Sequence, residues 1–456
     1  MNPLHGIQLG QVVAQYRKRS FGNLPDTLLF QYASEIISQP KEAPDSFEMH
    51  GPMDVVSRFR LLPFVDPAWR EWARQQIVAT VAKYQGGPVI PEVEADLELR
   101  GIEDARKQLV AAIEAKDVDL ADALMMAGLR LYGFRPFTPL LTSHCFWSMA
   151  FHCHAHICLM HVYSVATRLG PPGWQLLRPL VRDISRTPNW FLNVASLQTP
   201  PILDREPMAD EELREALVAR LSSVRRLKKP EAFGIVPLVE AIQEAGLDRE
   251  LVDALPELAD RRFQDLVLTT CMRIGALSMI QDTQRRAKYG WTHCLTLPQA
   301  ATALAGYVQN GPNPGLASCA WVLAFRSTIS KEDLRPLDLP PVKSNSLCEA
   351  MQKSPLDAAS FVWNSQDEDL PAIWSTIATT AAAHNDHHVT KHAVACYDAM
   401  FFDYPARRLY LAAAAYLCSV WVVEEATTGM PARGAFRASP EAFPTDHLEA
   451  LLIARE

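Results

Sequence analysis

The chain has 456 residues, 48% hydrophobic and 21% charged, a balance close to the globular average that excludes a disordered or membrane-embedded class. Its formal net charge of −8 carries no block of clustered Lys and Arg, so nucleic-acid binding, which needs many phosphates neutralised together, is not expected. The length suits one large helical domain or two packed halves, and a single array over residues 1–456 is the working expectation.

No basic segment followed by an apolar stretch opens the chain, so no secretory signal is read and a cytoplasmic protein is expected. Proline and glycine punctuate it at Gly86 to Pro91, Gly170 to Gly173, Thr199 to Pro207, Asn310 to Gly315 and Pro336 to Pro341. Between these stops, residues 102 to 131 read as two helices rich in Ala and Leu. Residues 208 to 226 form a helix with Asp and Glu in its first turn, and 249 to 285 keep a helical apolar period. The basic run Arg225, Arg226, Lys228 and Lys229 reads as a solvated helix end. Leu409 to Val423 is the most apolar late segment, shorter than the roughly 20 residues a bilayer needs, and reads as a buried core helix. Alternating β-branched runs and Asn-Gly hairpins are missing, so the expected fold is all-α, a single large multi-helix array with any metal site in its core.

Two absences narrow the chemistry. No two glycines stand two apart as G-x-G, so neither a dinucleotide fingerprint nor a P-loop can be written. The nine cysteines show no CxxC pair, which argues against a thiolate zinc site and a disulfide framework; most read as buried small hydrophobes.

The histidines carry the remaining signal, since nine of the 13 fall in two short segments. The later one, His384 to His392, follows the Ala-rich stretch Thr379 to Ala383 and reads as helix. On a helix advancing about 100° per residue, His384 and His388 share a face with Lys391 nearby, and two imidazoles at i and i+4 can chelate a transition metal. His387 and Lys391 are also i and i+4 neighbours, so the metal-facing side is open. The earlier segment carries His144, His152, His154, His156 and His161. His154 and His161 would share one face of a helix, and His152 and His156 another; not all can meet one ion, and several are expected to be core histidines. His50, before Gly-Pro, and His293, in W-T-H-C-L-T-L-P, sit in turn-like contexts. Trp147, Phe151 and Trp291 lie near these histidines and could wall a pocket for a flat aromatic. Asp386 and Asp398 could orient a ligating imidazole through its second nitrogen.

The order of these motifs resembles that of the questin oxidase-like family, which includes fungal enzymes that open the ring of hydroxyanthraquinones, as well as bacterial proteins. The resemblance rests on H-G-P-M at His50 to Met53, H-x6-H at His154 to His161, W-T-H with a following proline at Trp291 to Pro298, and H-x3-H-x2-K at His384 to Lys391. The closing Y-P-A-R-R-L-Y-L-A-A-A-A-Y-L from Tyr404 adds to it. The resemblance implies a Baeyer–Villiger-type oxygenase acting on a polycyclic aromatic small molecule, with Fe(II) as cofactor, O2 as co-substrate and NADPH as a conceivable external reductant. By motif it implies an iron site of four histidines and a carboxylated lysine, namely His50, His154, His293, His384 or His388, and Lys391. Of these, His50, His293, His388 and Lys391 are the expected catalytic residues. The chain departs from the family pattern in having Asn385 where Asp is common, and in the extra imidazoles of His387 and His392. A metal-dependent hydrolase using zinc or manganese at the same histidines is the competing expectation.

Overall fold

The computed structural model describes residues 2–42, 48–85, 87–92, 97–148, 150–188, 210–223, 244–246, 261–283, 288–308, 313–328, 337–384 and 386–427. The first half contains α1 (Val12–Lys18), α2 (Asp26–Ile37), α3 (His50–Leu61), α4 (Arg70–Tyr84), α5 (Ile102–Glu114), α6 (Val118–Tyr132), α7 (Thr138–Ser148), α8 (Ala150–Leu169), α9 (Pro171–Trp174), α10 (Leu177–Arg186) and α11 (Asp210–Ser223). The second half contains α12 (Arg261–Gln281), α13 (Lys288–Leu304), α14 (Pro314–Thr328), α15 (Leu347–Lys353), α16 (Pro355–Trp363), α17 (Leu370–Ala383), α18 (His387–Phe402) and α19 (Arg407–Thr427). The fold is all-α; extended pairing among the described residues is limited to one isolated bridge between Lys41 and Val89.

The helix pair expected over 102 to 131 is present as α5 and α6, separated where Lys116 takes a positive φ of 59° and the Asp117 carboxylate caps the N–H of Leu120. Of the pattern over 208 to 226, α11 ends at Ser223, and the basic run from Arg225 lies outside the described residues. Of the pattern over 249 to 285, α12 accounts for 261 to 281, and residues 249–260 lie outside the described residues. The segment Gly170 to Gly173, expected as a turn, instead starts the short helix α9, with Pro171 in its first turn. Tyr404–Val423 is long and apolar enough by length and composition to cross a membrane, longer than the run of 409 to 423 suggested, and most of it is buried inside the protein. Its alanines and leucines pack into one hydrophobic cluster that takes residues from Leu4 to Trp421. The eight described cysteine side chains are free, and all but Cys348 are buried.

Four helices at the centre run in the same direction. Near their starts, the ring of His50 on α3 lies 4.3 Å from that of His154 on α8 and 4.0 Å from that of His387 on α18, and His293 on α13 lies 5.0 Å from His154. Ten residues further on, Arg60 on α3 forms a bidentate pair with Asp398 on α18 at 2.6 and 3.1 Å. Six residues beyond the histidines of α8 and α13, Gln299 donates to Met160 at 3.4 Å and also to Asp398 at 2.8 Å. The second set of contacts lies further along in the same sense on every one of these helices, so α3, α8, α13 and α18 run parallel. Their N-terminal turns gather around the histidines.

A candidate metal centre

Each ligand position has a local cause. His50 is not in a turn: it is the first residue of α3, followed by Gly51 and Pro52. A Cβ on Gly51 would come within 3.1 Å of Ile37 Cγ2 and 3.4 Å of the Tyr84 ring, so glycine lets the start of α3 lie against α2 and α4. His293 is not in a turn either, but inside α13, which continues through Pro298. Proline removes the N–H that would bond the carbonyl of Cys294. Gly275 of α12 packs against that same carbonyl, and a Cβ there would stand 2.8 Å from its oxygen. Helix α13 is held by a neighbour that has no side chain at the contact.

The single helix expected over 384 to 392 is broken. Helix α17 ends at Ala383, and α18 starts at His387 with Asp386 as its N-cap, the carboxylate accepting the N–H of His388 at 2.7 Å. Arg58 Nη1 donates to the Ala382 carbonyl and Trp72 Nε1 to the Ala383 carbonyl, each at 3.0 Å, which satisfies the end of α17 where it stops. His384 therefore belongs to the end of α17. Its Nδ1 accepts the N–H of Asp386 at 3.0 Å and its ring packs on Trp421 at 5.2 Å, so the His384–His388 chelate on one helical face is not formed. The break turns His387 inward instead.

The converging set is His50, His154, His293, His387 and His388. Donor atoms of His50, His387 and His388 lie within 4.8 Å of one another. The Nε2 atoms of His154 and His293 are 3.0 Å apart, and the rings of His293 and His388 are separated by 5.8 Å. Two imidazole nitrogens this close either share a proton or face one cation; donors at about 2.1 Å from an ion, set at right angles, are about 3.0 Å apart. His50, His154, His293 and His387 are buried, and His388 is nearly so. Burial, followed by the neighbouring charges of His154, Lys391, His387 and His388, holds His50 well below the usual imidazole range. Burial, then His388 and Lys391, does the same for His387, and burial, then Lys391, lowers His388. These three rings are neutral at pH 7 and keep a lone pair for a ligand.

Lys391 sits one turn beyond His387 and His388 on α18. It is 1% exposed, and Nζ has no hydrogen-bond partner among the described residues. Burial pushes its pKa down to about 7, against the opposing pull of Asp386, Asp54 and Cys158. Neither Asp386 nor Asp398 hydrogen-bonds to it. Asp398 is engaged by Arg60 and Gln299 rather than by a histidine or by Lys391. Asp386 does orient an imidazole, facing Nδ1 of His388 at 3.0 Å. Burial alone would raise the Asp386 carboxyl, but the hydrogen bond from His388 and the potential of His388, His387 and His384 hold it well below the usual carboxylate range. Asp54, beneath, accepts from Thr80 and Thr390 at 2.9 Å each and pairs with Arg58 at 3.0 Å.

The other expected residues are elsewhere. His156 stacks on Phe146 and His392 faces Cys396 Sγ at 3.4 Å; burial pushes each down to about 3, as core histidines require. Trp291 is fully buried and donates to Asp282 at 3.0 Å, and Trp147 packs half-buried against the core. The side chains of Phe151 and His152 lie outside the described residues.

No family model, curated protein or solved structure matches the chain. What the cluster offers chemically is an imidazole-rich, thiolate-free donor set beside a buried amine whose pKa is pushed down to about 7. Such a set suits a borderline transition metal with positions left open, rather than a structural zinc closed by cysteines.

Proposed function

We propose that this cluster binds one Fe(II) ion and that the protein is a non-heme oxygenase. Its reaction would be a Baeyer–Villiger-type ring cleavage of a polycyclic aromatic such as a hydroxyanthraquinone, as the resemblance to the questin oxidase-like family implies. The observation that carries the metal reading is the triad of His50, His387 and His388, whose donor atoms lie within 4.8 Å of one another, with the His154–His293 pair, 3.0 Å apart, packed against it. Bound Fe(II) with open positions supplies dioxygen activation.

The chain's own residues do the rest. His50, His154, His293 and His387 or His388 present ring nitrogens, and Asp386 fixes the ring and tautomer of His388 by accepting from Nδ1–H. Lys391, uncharged in about half the molecules at pH 7 given its lowered pKa, can add its amine to carbon dioxide, giving a carbamate and releasing one proton. That supplies a hard anionic oxygen within a shell otherwise made of nitrogen. The packed cluster excludes bulk water, which strengthens each of these interactions.

The deciding experiment is metal analysis by mass spectrometry on protein purified without a His-tag, paired with oxygen uptake in the presence of a hydroxyanthraquinone, with and without NADPH. Near-stoichiometric iron and substrate-dependent oxygen consumption are expected. Zinc or manganese without oxygen uptake would replace the oxygenase by a hydrolase, and protein carrying almost no metal after reconstitution would remove both readings.

A further inference from the structure

At the opposite end of the parallel helices a cleft of about 390 Å³ opens to the surface, within the size range of small-molecule sites. Its aromatic lining comes from α3, the helical turn that follows it, α17 and α18. Phe59, on α3, is backed by Phe30 at 4.6 Å, while Phe64, Trp374 and Tyr397 pack on one another, the last two stacked at 4.5 Å and 21°. Leu61, Val165 and Val394 are buried lining residues, and they separate the cleft from the histidines. Val394 lies seven residues beyond His387 on α18 and Val165 eleven beyond His154 on α8, advances of about 10 and 16 Å. The cleft is thus a separate place from the histidine cluster.

Its charges are unevenly matched. Asp26 is engaged by Arg70 and Arg74, and Arg60 by Asp398. Arg168, exposed on the rim near the end of α8, has no carboxylate or hydrogen-bond partner among the described residues. The Tyr397 hydroxyl likewise has no hydrogen-bond partner, and burial, followed by the charge of Asp398, raises its pKa, so it is a donor at neutral pH. Flat aromatic walls favour a planar ring system, and an open guanidinium with a phenolic donor favours one anionic oxygen group on it.

We propose that this cleft is a binding site for a planar aromatic anion of about two rings, a carboxylate or phenolate, with its ring against Phe64, Trp374 and Tyr397 and its anionic group on Arg168. The site stands apart from whatever the histidines hold and does not rest on the oxygenase reading.

The full chain is titrated with 1-naphthoate, followed by tryptophan fluorescence and by calorimetry, and compared with neutral 1-naphthalenemethanol. One saturable equivalent of naphthoate is expected, with binding about tenfold weaker for the neutral probe and for Arg168→Gln, the loss of one charge-assisted hydrogen bond. Arg168 is exposed, so the variant should fold, which circular dichroism checks. Trp374→Phe should remove much of the quenching while calorimetric binding persists. Absence of saturable binding, or equal binding of both probes by the parent and by Arg168→Gln, overturns the proposal. Naphthoate binding that is abolished by His154→Ala and untouched by Arg168→Gln would put the ligand at the histidines and overturn it equally.

Discussion

Asp386 combines two tasks that substitution can separate. Its carboxylate caps the first turn of α18 through the His388 N–H at 2.7 Å, and it faces His388 Nδ1 at 3.0 Å. Asn caps a helix about as well as Asp, whereas Ala costs about 1 kcal/mol. Asp386→Asn should therefore leave stability within about 0.5 kcal/mol, and Asp386→Ala should lower it by about 1 kcal/mol or more. Metal affinity should follow a different order. Both variants lose the ionised acceptor that sets the His388 tautomer, and loss of such a supporting partner weakens metal binding about 10- to 100-fold. Urea unfolding of metal-free protein reads the first quantity, and anaerobic competition for Fe(II) against a chromogenic chelator reads the second. Asp386→Asn with parental stability and at least tenfold weaker metal binding is the expected pair of results. Parental metal affinity in Asp386→Asn would refute the reasoning, because His388 would then need no carboxylate to hold its ligating geometry.

Further outcomes follow from other contacts. His387→Ala should lose metal by about tenfold or more, as a donor removed from the cluster, whereas His384→Ala should retain it because His384 faces Asp386 N–H and Trp421; the reverse result in the chelator competition would reject this geometry. Lys391→Ala should lose metal, with partial recovery on adding propionate to replace the missing anionic oxygen; unchanged metal without added acid would reject a carboxylated lysine. Gly275→Ala gains about 1 kcal/mol in helix propensity, yet places a Cβ 2.8 Å from the Cys294 oxygen, a backbone clash of about 1–3 kcal/mol. Net destabilisation of up to about 2 kcal/mol is expected by urea unfolding, and a more stable variant would contradict the close approach. His392 has its folded pKa pushed below its unfolded one, so its contribution is complete above about pH 6.5 and is lost as pH falls towards about 3. Between pH 7 and 5 that loss is about 2 kcal/mol, about 1.5 units below the unfolded pKa at about 1.36 kcal/mol per unit. His392→Gln should lose that much less on acidification; an unchanged pH slope would mean His392 is not a buried neutral ring.

Helix content was legible because the apolar periods are long and strand signals sparse, and both α5 with α6 and the buried α19 appear where the patterns put them. His50, His154, His293 and His388 were singled out by their motifs, and the structure brings all four together. His384 and His387 exchanged places because the helical reading ran through a start signal: Asp386 is an N-cap residue, and its presence two residues before His388 marks a new helix. That signal stands in the sequence beside the competing i, i+4 spacing of His384 and His388. The turn-like contexts of His50 and His293 mislead for a related reason, since neither neighbouring proline stops its helix. Pro52 stands in the first turn of α3, where its missing N–H costs nothing, and Pro298 is tolerated inside α13. The cleft formed by Phe59, Phe64, Trp374 and Tyr397 had no sequence signal, since its walls are separated by over 300 residues and meet through the packing of α3 and its following turn on α17 and α18.

That packing also bears on which ligands the cluster can accept. Each helix carries a partial positive charge of about +0.5 at its N-terminus. His50 and His387 are the first residues of α3 and α18, so two such ends lie beside the histidines. In an antiparallel bundle these ends would alternate with carboxyl ends and cancel. Here they add, which disfavours imidazolium and ammonium and favours an anion among the rings. Asp386 and Asp54 meet part of that demand, and each is already committed, the first to His388 and the second to Thr80, Thr390 and Arg58. The buried amine of Lys391, with no hydrogen-bond partner among the described residues and with its pKa pushed down to about 7, lies one turn further along α18 from His387 and His388. A cation bound by neutral histidines would add to the same demand, so metal binding and an anionic oxygen at Lys391 should strengthen each other.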